Sequence, residues 1–171
     1  MTRIFLAALA CALLGLCAGC SSLRVNHDWD QQADFTKFQA YKVLPTQSAA
    51  DPLVERRIQD AVRVHLNERG FTENDVSPDF LIAIHGDVKD RVDVQTYNYG
   101  YPYAGYPYWH GGRDVSVTQY QEGTLVIDFV DAEKNELAWR GWGTKVIDNS
   151  TREAHVLQGI VDKILAQFPP N

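Results

Sequence analysis

The chain has 171 residues, 45% hydrophobic and 22% charged, with a formal net charge of −6 at pH 7. That length and balance fit one ordinary globular domain. The acidic surplus and the lack of any lysine or arginine run argue against nucleic acid or anionic lipid as an electrostatic partner.

Residues 1–19 do not belong to the domain. Arg3 supplies a positive start, Ile4 to Leu16 is an uncharged, largely apolar run, and small Ala18 and Gly19 precede Cys20. This is the pattern of a secretory signal peptide, too short for a comfortable membrane span. The ending Leu16-Cys17-Ala18-Gly19-Cys20 resembles the bacterial lipoprotein cleavage site, with Cys17 where leucine is commonest. The resemblance implies a cut between Gly19 and Cys20 and a lipid, palmitate included, on Cys20. Cys11, Cys17 and Cys20 all lie at or before that cut. The mature body therefore has no cysteine for an intramolecular disulfide or a metal site. Each buried methylene contributes about 0.8 kcal/mol, so several acyl chains anchor far more firmly than one. Loss of Arg3 with the leader takes the net charge from −6 to −7. Ser21 and Ser22 follow, with no aspartate; by resemblance to Gram-negative lipoproteins this implies an outer-membrane, periplasm-facing address. The plan is a leader at 1–19, an attachment site and tether at 20–22, and one domain at 23–171.

Within the domain, Leu23, Val25, His27 and Trp29 alternate with polar residues as a first strand. Phe35, Phe38, Tyr41 and Val43 lead through a second strand at about Gln39 to Leu44, ended by Pro45. Asp51 as N-cap and Pro52 at the first helical position open a helix. Its apolar stripe is Val54, Ile58, Ala61, Val62, His65 and Leu66. Gly70 is placed for the left-handed position after the helix, with Phe71 making the apolar contact that often follows.

From Phe80, apolar Ile82, Ile84, Val88, Val92 and Val94 hold the even positions while charges hold odd ones. The phase survives Gly86, so one long strand is expected, with a bend allowed at that glycine. A second long strand, Asp114 to Val130, carries Val115, Val117, Leu125, Ile127 and Phe129 at odd positions. Leu137 to Ile147 completes a three-stranded meander. If Phe129 lies opposite Trp139, Ile127 faces Gly141, and Asp128 and Arg140 form a cross-strand ion pair on the other face. Such a surface pair contributes under about 1 kcal/mol. The register leaves Glu133, Lys134 and Asn135 as the loop, with Asn135 in a left-handed conformation. Residue numbers paired across the two long strands must sum to an odd number if their apolar positions share a face.

Between the long strands lies a low-complexity insert at 97–113, YNYGYPYAGYPYWHGGR. Tyr97, Tyr99, Tyr101, Tyr103, Tyr106, Tyr108 and Trp109 read either as a solvated hairpin tip or as a contact surface for envelope glycan, lipid headgroup or protein. Ser150 with Glu153 reads as a capping box for a closing helix. Its stripe is Leu157, Ile160, Val161, Ile164, Leu165 and Phe168, and Pro169-Pro170 stop it. The expected fold is α+β: an antiparallel sheet, made of the meander plus N-terminal strands, with two helices packed on one face.

The lipoprotein start, DFTKFQAYKVLP, NERGF, PDFLIAIHG, EGTLVIDFVDA, LAWRGWG and a terminal helix ending in FPP together resemble a known family. It is domain of unknown function 4136, found in bacterial envelope lipoproteins. The resemblance implies an α+β lipoprotein domain and carries no established activity or catalytic residues.

A search of the residues for chemistry yields no motif. His27, His65, His85, His110 and His155 occur singly, and none has the i, i+4 spacing of a helical zinc site. His65, on the apolar stripe, reads as a packed or rim histidine. No Gly-x-Ser-x-Gly elbow exists, and Gly141-Trp142-Gly143 lacks the rest of any phosphate-binding motif. Neither a metal nor a cofactor is implied. The leading expectation is a non-enzymatic contact domain tethered to the outer membrane by its N-terminal lipid. One alternative is a small-ligand site between sheet and helices, with Trp29, Trp139 or Trp142 at its opening. Another, supported by no motif, is an envelope hydrolase.

Overall fold

The computed structural model describes residues 23–45, 51–98 and 113–169. The leader, Cys20 and the insert from Tyr99 to Trp109 lie outside them; Tyr97 falls within a strand. The described residues form six strands and two α-helices: β1 Arg24–Trp29, β2 Ala40–Val43, α1 Pro52–Glu68, β3 Thr72–Glu73, β4 Phe80–Asn98, β5 Arg113–Asp131, β6 Glu136–Val146 and α2 Ala154–Leu165. The sheet order is β1-β6-β5-β4-β2-β3.

The meander β4-β5-β6 forms as its alternation requires. Ile82 faces Phe129 and Ile84 faces Ile127, an odd-sum register that runs without a break from Phe80↔Asp131 to Asn98↔Arg113. Gly86 therefore causes no slip. Across the second hairpin, Phe129 faces Trp139, Asp128 faces Arg140 and Ile127 faces Gly141. The turn carries Asn135 at φ 56°, where a short polar side chain tolerates the left-handed region. A bulge between Phe129 and Val130 shifts the register so that Val130 faces Leu137. The extra residue, Ala138, is buried, and Leu137 is left exposed.

The sheet is not the purely antiparallel one expected. β2 runs parallel to both β4 and β3, and β3 was not foreseen at all. The reason is the connection: α1 carries the chain back across the sheet, so the next strand enters in the direction of β2, as a crossover demands. Asp79, just before β4, fixes this junction by accepting hydrogen bonds from the backbone N–H groups of Gln39 and Ala40 at 3.0 and 2.7 Å.

Helix α1 starts and stops as its sequence directs. The Asp51 side chain accepts from Leu53 N–H, Pro52 occupies the first turn, and Gly70 has φ 89°. Phe71 N–H reaches Leu66 C=O and Gly70 N–H reaches Asn67 C=O, the paired bonds of a Schellman ending. The closing helix starts differently from expectation. No side chain caps α2, and the capping box belongs to the preceding 3-10 turn, Asn149–Arg152, where Asp148 and Thr151 exchange bonds. Asp148 sits before a turn that tightens the entry to α2, so the Ser150–Glu153 pair is not needed.

Both helices pack on the face carrying Ile82, Ile84, Leu125, Ile127, Phe129 and Trp139, all buried in one core with Val62, Leu66, Val161 and Ile164. Arg69 ties the helix ends together, donating from Nη1 to the carbonyls of Leu165 and Phe168. Coverage is partial. The 19-residue strands are about 60 Å long at about 3.3 Å per residue. The 17 residues of α1 span about 25 Å. Beyond Gly86 the hairpin outruns the helices, and Val88, Val92 and Val117 keep the core phase yet are 57%, 60% and 56% exposed.

Candidate functional site

Where the helices end, the sheet face and the helix pair enclose a groove of 390 Å³. Its walls are Val54 and Ile58 of α1 and Leu157 and Ile160 of α2; Leu125 and Ile147 close the sheet side, and Leu23 and Val88 lie at the rim. The floor owes its depth to three glycines. Gly86, Gly123 and Gly143 lie in the helix-facing phase of β4, β5 and β6, the phase of core residues Ile84, Leu125 and Trp139. A Cβ on Gly123 would come 2.8 Å from Ile147, and one on Gly143 would crowd Ile164 and Leu23 at 3.0–3.2 Å. A Cβ on Gly86 would meet nothing within 4 Å, so the groove is open directly above it.

Of the polar residues of the lining, Lys145 and Thr151 engage each other, Thr124 shares a hydrogen bond with Thr144, and Asp87 lies 3.1 Å from Lys89. Lys145 Nζ donates to Thr151 Oγ1 at 3.2 Å and lies 3.5 Å from Asp148. Hydrogen bonds from the Ser150 hydroxyl first, and from Thr151 second, hold the Asp148 carboxyl well below the usual carboxylate range. A depressed folded pKa contributes stability above the unfolded value, lost as pH falls through the folded one. The stability difference between wild type and Asp148→Asn should thus be constant from neutral pH to about 5 and shrink below about 4. Thermal melts across that range would show it; a gap that widens in acid would contradict the assignment.

The opposite face of the sheet carries the ion pairs. Asp128 accepts two bonds from Arg140, Nε and Nη2 each at 2.6 Å, the bidentate geometry of a strong pair. These bonds hold the Arg140 guanidinium above its ordinary pKa. The pair is cross-strand as expected but not the half-exposed surface pair of that expectation, because Asp128 is only 5% exposed. His85 Nε2 lies 3.6 Å from the same carboxylate. Farther along, Arg24 and Arg91 both bind Glu122 at 3.0 Å.

The described histidines stay apart. His27 stacks on Trp29 with ring centres 5.3 Å apart, and His155 lies 3.4 Å from Glu153. His65 is the packed histidine expected, its Nδ1 2.9 Å from Asp162 between the two helices. Among the described residues, no group of three or more His, Cys, Asp or Glu side chains could hold a metal ion. The tryptophans do not line the groove either: Trp139 is fully buried core. Trp142 faces the other side of the sheet between Asn26 and Val126. Trp29 lies beside His27 and Phe168 in a different hollow. A site between sheet and helices was one alternative of the sequence reading; what that reading missed was its lining, which is aliphatic side chains and glycines. Its signal was available: three glycines in the buried phase of three neighbouring strands.

A mixed six-stranded sheet with two helices on one face, grooved where the helices end, defines an α+β domain. The chain belongs to the family described as Domain of unknown function (DUF4136), whose model matches residues 25–170. Among solved structures it is similar to a PDZ domain protein from Parabacteroides distasonis, with TM-score 0.61 and 14% identity over 95% of this chain and 40% of that one. The chain thus spans 40% of that protein's length. It is also similar to the PelC dodecamer from Paraburkholderia phytofirmans, with TM-score 0.50 and 11% identity over 84% of this chain and 96% of that one. Identities this low bear on the fold only. Among curated proteins, none matches the chain.

Proposed function

We propose that this chain is a lipoprotein held in the outer membrane through Cys20, whose periplasm-facing domain acts by contact and not by catalysis. The observation that carries the reading is the apolar groove, together with exposed valines along the hairpin beyond it. Val88, Val92 and Val117 are exposed in the core phase, with Val88 set apart from the other two by the hydrogen-bonded Asp90–Gln121 pair. Apolar side chains left in water beside an apolar groove mark a site of interaction. The groove also favours the second reading, a small-ligand site between sheet and helices, though its walls are aliphatic and not the tryptophans expected there.

Two variants test the proposal. Cys20→Ala should leave the protein unlipidated and lost from outer-membrane fractions after a high-salt wash; retention there would refute the anchor. A Val88→Thr, Val92→Thr, Val117→Thr variant should keep the thermal midpoint, since all three side chains are more than half exposed. It should lose the envelope components that wild type retains in a crosslinked pull-down. An unchanged set of partners would refute the contact surface.

A further inference from the structure

We propose that the groove takes up one acyl chain of a lipid from the bilayer in which the protein is anchored. The inference rests on the lipoprotein reading above and names the partner that its contact surface meets first.

The walls decide the chemistry. Val54, Ile58, Leu125, Ile147, Leu157 and Ile160 present branched aliphatic groups. The one ammonium of the lining, Lys145, is engaged by Thr151 and Asp148. Asp87 and Thr124, the other polar side chains there with Thr151, are engaged by Lys89 and Thr144, so a polar solute would forfeit its hydration for few partners. A hydrocarbon chain loses nothing and gains contact along its length. The floor decides the shape: Ile147 lies over Gly123 and Ile164 and Leu23 lie over Gly143, so the open space is the narrow slot over Gly86, suited to a flexible chain. At about 30 Å³ for a water-sized group, 390 Å³ holds on the order of a dozen such groups. That is the distal part of a fatty chain, with the headgroup left outside.

The chain's own course decides the source. Leu23 lies at the groove rim, and Cys20 is three residues earlier. Three residues span at most about 10 Å when fully extended, so a lipid on Cys20 keeps the mouth at the membrane surface. Val88, 57% exposed, extends the apolar lining outward at the same opening.

The test uses the full lipidated chain, reconstituted in vesicles of phosphatidylethanolamine and phosphatidylglycerol doped with a phospholipid that carries a diazirine near the end of one tail. After irradiation, crosslinked peptides are mapped by mass spectrometry. Wild type should crosslink in the peptides bearing Ile58, Leu157 or Ile160. Gly86→Trp, which fills the slot from a strand position with no left-handed φ, should lower that yield at least fivefold while the thermal midpoint holds or rises. Val54→Glu, at a half-exposed wall position, should lower it similarly and serves if the tryptophan variant misfolds. Absence of these crosslinks in wild type, or yields unchanged in both variants, would overturn the proposal. Crosslinks that appear only when Cys20→Ala has removed the protein's own lipid would also overturn it, by showing that the anchor itself fills the groove. If intact mass shows no lipid on Cys20 while wild type still crosslinks in the groove, the lipoprotein reading fails and the acyl-chain site stands.

Discussion

Trp139→Ala is expected to destabilise the domain by about 3–5 kcal/mol, the range for emptying a large buried aromatic site. At about 3 °C per kcal/mol for a chain of this size, the melting midpoint should fall by roughly 10–15 °C. Trp139 is fully buried and touches rings on two sides, Phe129 at 4.9 Å and Phe168 at 5.5 Å between centres. Its indole lies over Gly141, two residues on along β6. A Cβ on Gly141 would collide with the outer edge of the indole and stand 2.8 Å from Ile164 of α2. Gly141→Ala should therefore cost about 1–3 kcal/mol by overpacking. The two residues are one device: the glycine makes the space that the indole occupies. Trp139→Phe removes the atoms that would collide, so Gly141→Ala should cost much less in that background. A double-mutant cycle should return a favourable coupling of more than about 1 kcal/mol. Simple additivity in urea melts would show that Gly141 serves something else.

Removal of Arg140 should prove worse than removal of its partner. Breaking a fully buried pair from one side costs about 3–5 kcal/mol. The Arg140 side chain is 46% exposed and His85 stands 3.6 Å from the carboxylate, so water and imidazole replace part of what is lost. For Arg140→Met we expect about 2 kcal/mol, because Asp128 remains buried without its two bonds. Asp128→Asn leaves a half-exposed guanidinium that water can solvate, and should cost about 1 kcal/mol or less. A double Asp128→Val, Arg140→Val variant should lie closer to wild type than Arg140→Met does. Chemical denaturation of the four proteins at pH 7 would check the order. An Asp128→Asn loss equal to that of Arg140→Met would show that burial of Asp128 does not govern the pair.

The lesson of the hairpin is how far alternation reaches. The pairings Phe129–Trp139 and Asp128–Arg140 were legible because a one-residue slip would turn every apolar side chain outward. Asn135 at φ 56° followed from loop length, and the two ends of α1 from capping residues that act within four positions. All of these depend on neighbours in sequence or directly across a tight turn. The glycine floor was written in the same phase but reads as nothing until three strands stand side by side. Gly86 alone could equally mark a bulge, and the unbroken β4–β5 ladder shows no register slip there.

What the sequence by itself determined, then, is every element whose period or cap is local: the long hairpin and its register, both amphipathic helices, and the faces they bury. The tertiary structure alone decided the direction of β2, since the sense of a strand depends on the crossover through α1 and on Asp79 reaching back to Gln39 and Ala40. It alone decided that Asp128 is buried while Arg140 stays half in water, because exposure depends on neighbouring strands that a single hairpin does not contain. It also decided where the helix layer stops. Val88, Val92 and Val117 share the pattern of Ile82 and Ile84, and only the shorter reach of the helices separates exposed valines from buried isoleucines. Apolar periodicity records which side of a strand faces inward; whether anything lies there to cover it is a matter of length and packing.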